Sequence, residues 1–340
     1  MRFALDAEQR EFGRTLGRML AAADTPSAVR AWARGDHKPG LAVWEQLAQA
    51  GVFGLAVPEA FGGTGPLPVE VAVAFTELGR YAVPGPVVEA VAVTALLARL
   101  AAAGRPVLAE AWLPRVGEGA ARVTAALPTV PGGSPYALDT DVCDGVFAVP
   151  DGADDLFVAA GHGPVQPSLD PARRLALPHC GAEPVEAGRA VREAARHAAE
   201  WAAFAAAAQV LGVGLALLER TVAYVGQRRQ FGVAVGGFQA VKHRLADTRA
   251  GLEFAGPLVH GAAVALAAGA PGAGAEVAAA KAAASDAAYA AARTALQLHG
   301  AIGYTAEYDL SLWLGKARAL RSAWGSPADC RARTLDIFSE

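Results

Sequence analysis

The chain has 340 residues, is 53% hydrophobic but only 7% aromatic, and carries a formal net charge of −3. That length suits one large domain or two to three packed sub-domains, the alanine that fills the hydrophobic count favours helix over sheet, and the lack of a basic block argues against nucleic acid as the main partner. Cys143, Cys180 and Cys330 contain no CxxC pair, so they read as unpaired buried thiols of a reducing cytoplasm, with no metal centre expected.

The first twenty residues, MRFALDAEQREFGRTLGRML, spread charges through an amphipathic pattern and form no apolar signal core. Apolar spacing predicts a helix from Leu5 to Leu20 with Asp6 as its N-cap. A second helix is expected near Val43–Ala50, ending at Gly51. PEAFGGTGPLP, from Pro58 to Pro68, is a loop by its Gly and Pro content. Helix returns over Val69–Ala82 and Val87–Ala103. From about Arg122 to Cys180 short β-branched runs such as GVFAV (145–149) and DLFVAA (155–160) predict a small antiparallel β domain of at most about five or six strands. Helices are then expected over Val191–Gln227, Phe238–Ala268, Ala275–His299 and Tyr308–Ala323, with Pro257 kinking or splitting the second. The resulting organisation is mainly α with a small β domain: a helical domain over 1–115, a reduced β domain over 116–185 and a helical bundle over 186–340. The Ala-rich stretches are broken by Gly, Pro or charges and do not read as membrane spans, so a soluble, cytoplasmic protein is expected.

Two motifs stand out. In RRQFGVAVGGFQAVKHRLAD, residues 228–247, Arg228 lies at a helix end, where a cation also complements the negative end of the dipole. Gln230, Phe231 and Gly232 add an amide, an aromatic face and a permissive backbone position within one turn. Such a set suits a phosphate gripped by a forked guanidinium with a flat ring beside it. Gln239 adds an amide that can read polar ring edges, while His243 reads as a helix-face histidine rather than a base. In QLHGAIGYTAEY, Gln297–Tyr308, Gly300 terminates a helix and Gly303 turns the chain. Glycines there also let backbone amides approach an anion.

Taken together and in this order, RxQFG, FQxxxHxLAD and QLHGxxGYTxEY resemble the acyl-CoA dehydrogenase family. DAEQREF, WEQLAQAGVFGLAVPEAFGGTG (44–65), ELGR (77–80) and SLDPARRLA (168–176) extend the likeness over most of the chain; residues 115–165 resemble the family poorly. The resemblance implies a helical domain, a small β domain and a four-helix bundle that associates into dimers and tetramers, with FAD between β domain and bundle and reaching a neighbouring subunit. It assigns Arg228 to the pyrophosphate, Phe231 to packing on the cofactor, Gln239 and Gln297 to hydrogen bonds with it, and Gly300 to a close backbone approach. The family's second glycine is Ala301 here, which narrows that approach by one methyl.

The family's reaction takes an α-proton from an acyl thioester onto a carboxylate and passes the β-hydride to the flavin. Aligned without gaps, the turn that carries the base in many members reads Ala323, Trp324, Gly325, Ser326, so Trp324 stands at the glutamate position and Ser326 at a hydroxyl that bonds the cofactor. The base position of other members falls on Ala202. Glu200 lies about 200° away around the helix, so a solvent-facing role is expected for it, and Glu307 reads as structural. The family's flavin-contacting segment has only a faint echo in LPTVPGGSP, residues 127–135. No catalytic residue is therefore assigned. The adenosine-side residues are kept and the chemical side is lost. This pattern fits a short subunit paired with a longer, glutamate-bearing homologue to dehydrogenate an acyl-CoA. The alternatives are a homo-oligomer with a relocated base and a flavin-free scaffold.

Overall fold

The computed structural model describes residues 4–128 and 133–336, so Thr129–Gly132 of the LPTVPGGSP segment lie outside the described residues. Six helices come first: α1 (Ala7–Ala21), α2 (Thr25–Ala33), α3 (Lys38–Gln49), α4 (Pro68–Arg80), α5 (Val87–Ala102) and α6 (Val107–Gly117). Asp6 caps α1 as expected, in a capping box with Gln9 that satisfies two otherwise free backbone donors. The sequence reading missed α2, a nine-residue helix capped by the Asp24 carboxylate.

The β region holds β1 (Val123–Ala126), β2 (Ala137–Leu138), β3 (Gly145–Ala148), β4 (Asp155–Val158), β5 (Gly161–His162), β6 (Leu175–Ala176), β7 (Pro178–His179) and β8 (Glu186–Ala187). Four of them form one sheet in the order β1-β3-β4-β8; β2 pairs with β6, and β5 with β7. Two expectations need correction. The sheet is mixed, because β1 and β3 run parallel while β3 and β4 run antiparallel, and β2 lies in the connection between the two parallel neighbours. Among the described residues of this region there are eight strands rather than five or six, because each is only two to four residues long.

The bundle comprises α7 (Arg189–Gln227), a hairpin of β9 (Arg229–Gln230) and β10 (Val233–Ala234), α8 (Gln239–Ala267), α9 (Ala273–His299), α10 (Leu310–Leu320) and α11 (Pro327–Asp336). Pro257 does not split α8: Ala255 and Val259, both buried, carry the helix across the missing backbone bond. Both α7 and α8 are long and apolar enough to cross a bilayer by length and composition, but 89% of the most apolar window of α7 is buried in the protein. Its run from Ala202 to Ala208 is wholly buried, and small side chains there let the other helices come close.

The α4–α7 crossing is tightest at two glycines. A Cβ on Gly79 would overlap the Gln209 carbonyl, and one on Gly212 would overlap the Thr76 carbonyl. Neither backbone can yield without moving a whole helix. Gly79→Ala should therefore cost roughly 3 kcal/mol of stability, the upper end for overpacking, read as a lowered urea midpoint. An unchanged midpoint would contradict the close crossing.

The three regions are stapled by buried and partly buried polar contacts around the segment 168–174. Lys316 of α10 pairs with Asp170 at 3.2 Å, and Arg173 approaches Glu89 of α5 at 3.7 Å. Arg174 bonds Asp141 at 2.6 Å, and Trp32 Nε1 of α2 donates to Asp139 at 2.9 Å. Of the cysteines, Cys330 is buried, Cys143 is half-buried and Cys180 is exposed, so the expectation of three buried thiols fails for Cys180, which lies just after the short ribbon strand β7. All three are free thiols.

Candidate functional site

The structure sorts the cofactor residues named above into two places. At one end of the bundle, α7 stops at Arg228, whose backbone is extended and whose N–H still donates to the Tyr224 carbonyl. Arg229 and Gln230 then pair with Ala234 and Val233 in a hairpin whose two turn residues, Phe231 (φ 51°) and Gly232 (φ 80°), both have positive φ. That is the twist a two-residue hairpin needs, and it strains a phenylalanine. The result is a ring 91% exposed at the tip, with Phe238 edge-on to it at 6.3 Å between centroids. Gln239 opens α8 and is exposed, and His243 lies exposed one turn on.

The end of α9 meets this region. Tyr224 stacks on His299 with centroids 4.1 Å apart, so the last turns of α7 and α9 lie side by side. His299 Nδ1 is 2.8 Å from the Ala295 carbonyl, which fixes the donor on Nδ1, and burial pushes the imidazole below its usual range. Gln297 is exposed. Gly300 has φ 65°, and a Cβ there would meet nothing within 4 Å, so conformation rather than space favours glycine at this helix end. Ala301 is exposed too. Arg30 of α2 clamps the following loop, bonding Asp309 at 2.7 Å and the carbonyls of Ala306 and Glu307. Glu307 thus contributes its backbone. Arg228, Phe231, Gln239, Gln297 and Gly300 are all exposed to solvent at this end of the bundle.

Ser326 sits elsewhere. Its hydroxyl donates to Asp329 at 2.6 Å and accepts from the Asp329 N–H at 3.3 Å, which makes it the N-cap of α11. Beside it, Trp324 has φ 58° and is buried, and its Nε1 donates to Glu89 Oε1 at 3.2 Å. Trp324 and Glu89 line one cavity of about 410 Å³ at the junction of α5, the β region and the turn after α10, together with Tyr136, Arg173 and Arg318. Glu200 is not part of it. That carboxylate lies 3.9 Å from Arg333 and 4.0 Å from His197, and burial raises its pKa. Ala202 is fully buried in the core.

Sequence reasoning gave no role to Glu89, Arg173 or Arg30. A signal existed for the first: Glu89 is the one charged residue in the apolar run from Val87 to Leu97. As an acid in the first turn of a helix it has an ordinary explanation, which hides its burial against another domain.

The chain matches two family models, acyl-CoA dehydrogenase N-terminal domain over residues 6–120 and acyl-CoA dehydrogenase C-terminal domain over residues 184–328. It is 34% identical to the acyl-CoA dehydrogenase IpdE2 of Mycobacterium tuberculosis over 329 residues, 96% of each chain. Among solved structures, the ChsE4-ChsE5 complex from Mycobacterium tuberculosis superposes with a TM-score of 0.83 at 23% identity, covering 100% of this chain and 99% of the other. A variant of the Tcur3481-Tcur3483 steroid ACAD superposes with a TM-score of 0.82 at 26% identity, covering 98% of each. PigA, solved with FAD and proline, gives 0.82 at 18% identity over 100% of this chain and 99% of that one. The ordered motifs, the helical–β–helical fold and these matches place the chain in the acyl-CoA dehydrogenase family.

Proposed function

We propose that this chain is the glutamate-lacking subunit of a heteromeric, FAD-dependent acyl-CoA dehydrogenase and supplies the interface half of the cofactor site. The observation that carries this reading is Trp324. At the turn where the family's base is expected, a buried indole that cannot accept a proton faces the cavity. The bundle end, by contrast, keeps an exposed forked cation, an exposed ring, two amides and a positive-φ glycine. FAD, when bound, accepts the β-hydride of the acyl thioester. This chain's part is to hold its adenosine side: Arg228 on the pyrophosphate, Phe231 against the cofactor, Gln239 and Gln297 through their amides, and Gly300 by its open backbone. Ser326 caps α11 and would offer the remaining lone pair of its hydroxyl to the cofactor.

Association supports the same reading. Val222, Phe231, Phe238, Phe254 and Leu258 expose large apolar area on the bundle, which suits burial against a partner. The relatives named above as ChsE4-ChsE5 and Tcur3481-Tcur3483 are complexes of two named chains. The second of them is described as a steroid ACAD.

The cofactor assignment is tested at Arg228. Replacing it with Ala removes a charge-assisted, forked contact of roughly 1.5–3 kcal/mol, or about ten- to a hundredfold in FAD affinity. Arg228→Lys should rescue only part, because a point charge lacks the fork. Unchanged flavin retention in both variants of the assembled complex would remove the assignment.

A further inference from the structure

The cavity beside Trp324 has an unusual inner wall for a protein of this family reading. Its members act on acyl thioesters, yet the Glu89 side chain is only 3% exposed and that of Arg173 12%, and both line the cavity. One oxygen, Glu89 Oε1, accepts the Trp324 indole N–H at 3.2 Å and lies 3.7 Å from Arg173. Each member comes from a different part of the fold: α5, the 168–174 segment, and the turn after α10. The pair is therefore fixed by three elements at once and has little freedom to turn out to solvent.

We propose that the buried Glu89–Arg173 pair, pinned by Trp324, bars an alkyl acyl chain from this chain's own cavity. The inference rests on the reading that this cavity is not the catalytic one. Its physical basis is desolvation. An alkyl chain laid against the pair would strip the remaining water from a carboxylate and a guanidinium and offer them no hydrogen bond. Entry would also require the indole to leave its carboxylate acceptor. Bulk alone does not account for the wall, since Trp324 fills volume while Glu89 and Arg173 put a buried ion pair on the cavity surface beside it. The pair thus dedicates the chain to cofactor holding by closing its spare acyl slot.

The test compares octanoyl-CoA with acetyl-CoA, which share the CoA moiety and differ in alkyl length, by titration calorimetry on the full chain. Wild type should bind octanoyl-CoA no better than acetyl-CoA, and so should Glu89→Gln, which keeps an acceptor for the indole. Glu89→Leu combined with Arg173→Leu replaces the pair with apolar groups, a change that buried ion pairs often tolerate. That variant should prefer octanoyl-CoA at least tenfold. Trp324→Ala is the second variant, should the first fail to fold: it opens volume but keeps the pair, so it should gain no preference. A tenfold octanoyl preference in wild type without turnover, or an equal gain in Trp324→Ala, would overturn the inference and leave the heteromeric reading standing. Turnover by the isolated wild type that Glu89→Gln abolishes would overturn both, making Glu89 a base.

Discussion

The isolated chain, supplied with FAD and an artificial electron acceptor, is expected to dehydrogenate no acyl-CoA. A positioned base contributes about 10²–10⁴ in rate, and the indole at position 324 supplies none of it. Ala202, the other aligned base position, carries no acid and is buried in the core. Glu200 lies 3.9 Å from Arg333 and does not line the cavity. Changing Trp324 to Glu should not restore activity, because the family's flavin-contacting segment has only a faint echo here, in residues 127–135. Turnover by the isolated wild type would contradict the account and direct attention to Glu89.

Asp139→Asn is expected to stabilise the protein, and more at pH 8 than at pH 5. Full burial pushes the Asp139 carboxyl up to about 8, against the Trp32 hydrogen bond that favours its anion. Its Oδ2 has no hydrogen-bond partner among the described residues. With the folded pKa above the unfolded value, the folded state binds more protons between about pH 4 and pH 8. Stability from this group is therefore greatest below the unfolded pKa and is lost as pH rises toward the folded one, by roughly 5 kcal/mol across the window. Asparagine keeps an acceptor for Trp32, carries no charge, and tolerates the φ of 52° at this position. The gain over wild type should be about 4 kcal/mol larger at pH 8 than at pH 5, read by urea unfolding. An equal loss at both pH values would contradict the buried, protonated assignment.

Much of the fold is local and therefore legible. Asp6 before an amphipathic run, the Gly300 stop and the Gly/Pro loop at 58–68 depend on near neighbours, and the long alanine-rich helices announce themselves by composition. What the sequence hid is set by distant partners. The parallel pairing of β1 with β3 depends on a crossover, and the survival of α8 through Pro257 depends on the packing of Ala255 and Val259. The site divides the same way. Arg228, Phe231, Gln239, Gln297 and Gly300 sit in motifs that are readable as written, and the Tyr224–His299 stack brings their two helix ends together. Glu89 and Arg173 are separated by about a quarter of the chain. Only the fold brings that carboxylate, that guanidinium and Trp324 to one wall.

The central claim is that this chain completes another chain's flavin site, and co-purification measures it directly. The chain would be expressed with a full-length, glutamate-bearing family member from the same genome, and native mass and flavin absorbance read on the product. The account predicts a mixed oligomer with one FAD and one active site per unlike pair, and no flavin retained by this chain alone. A homo-oligomer of this chain carrying one FAD per subunit would contradict it.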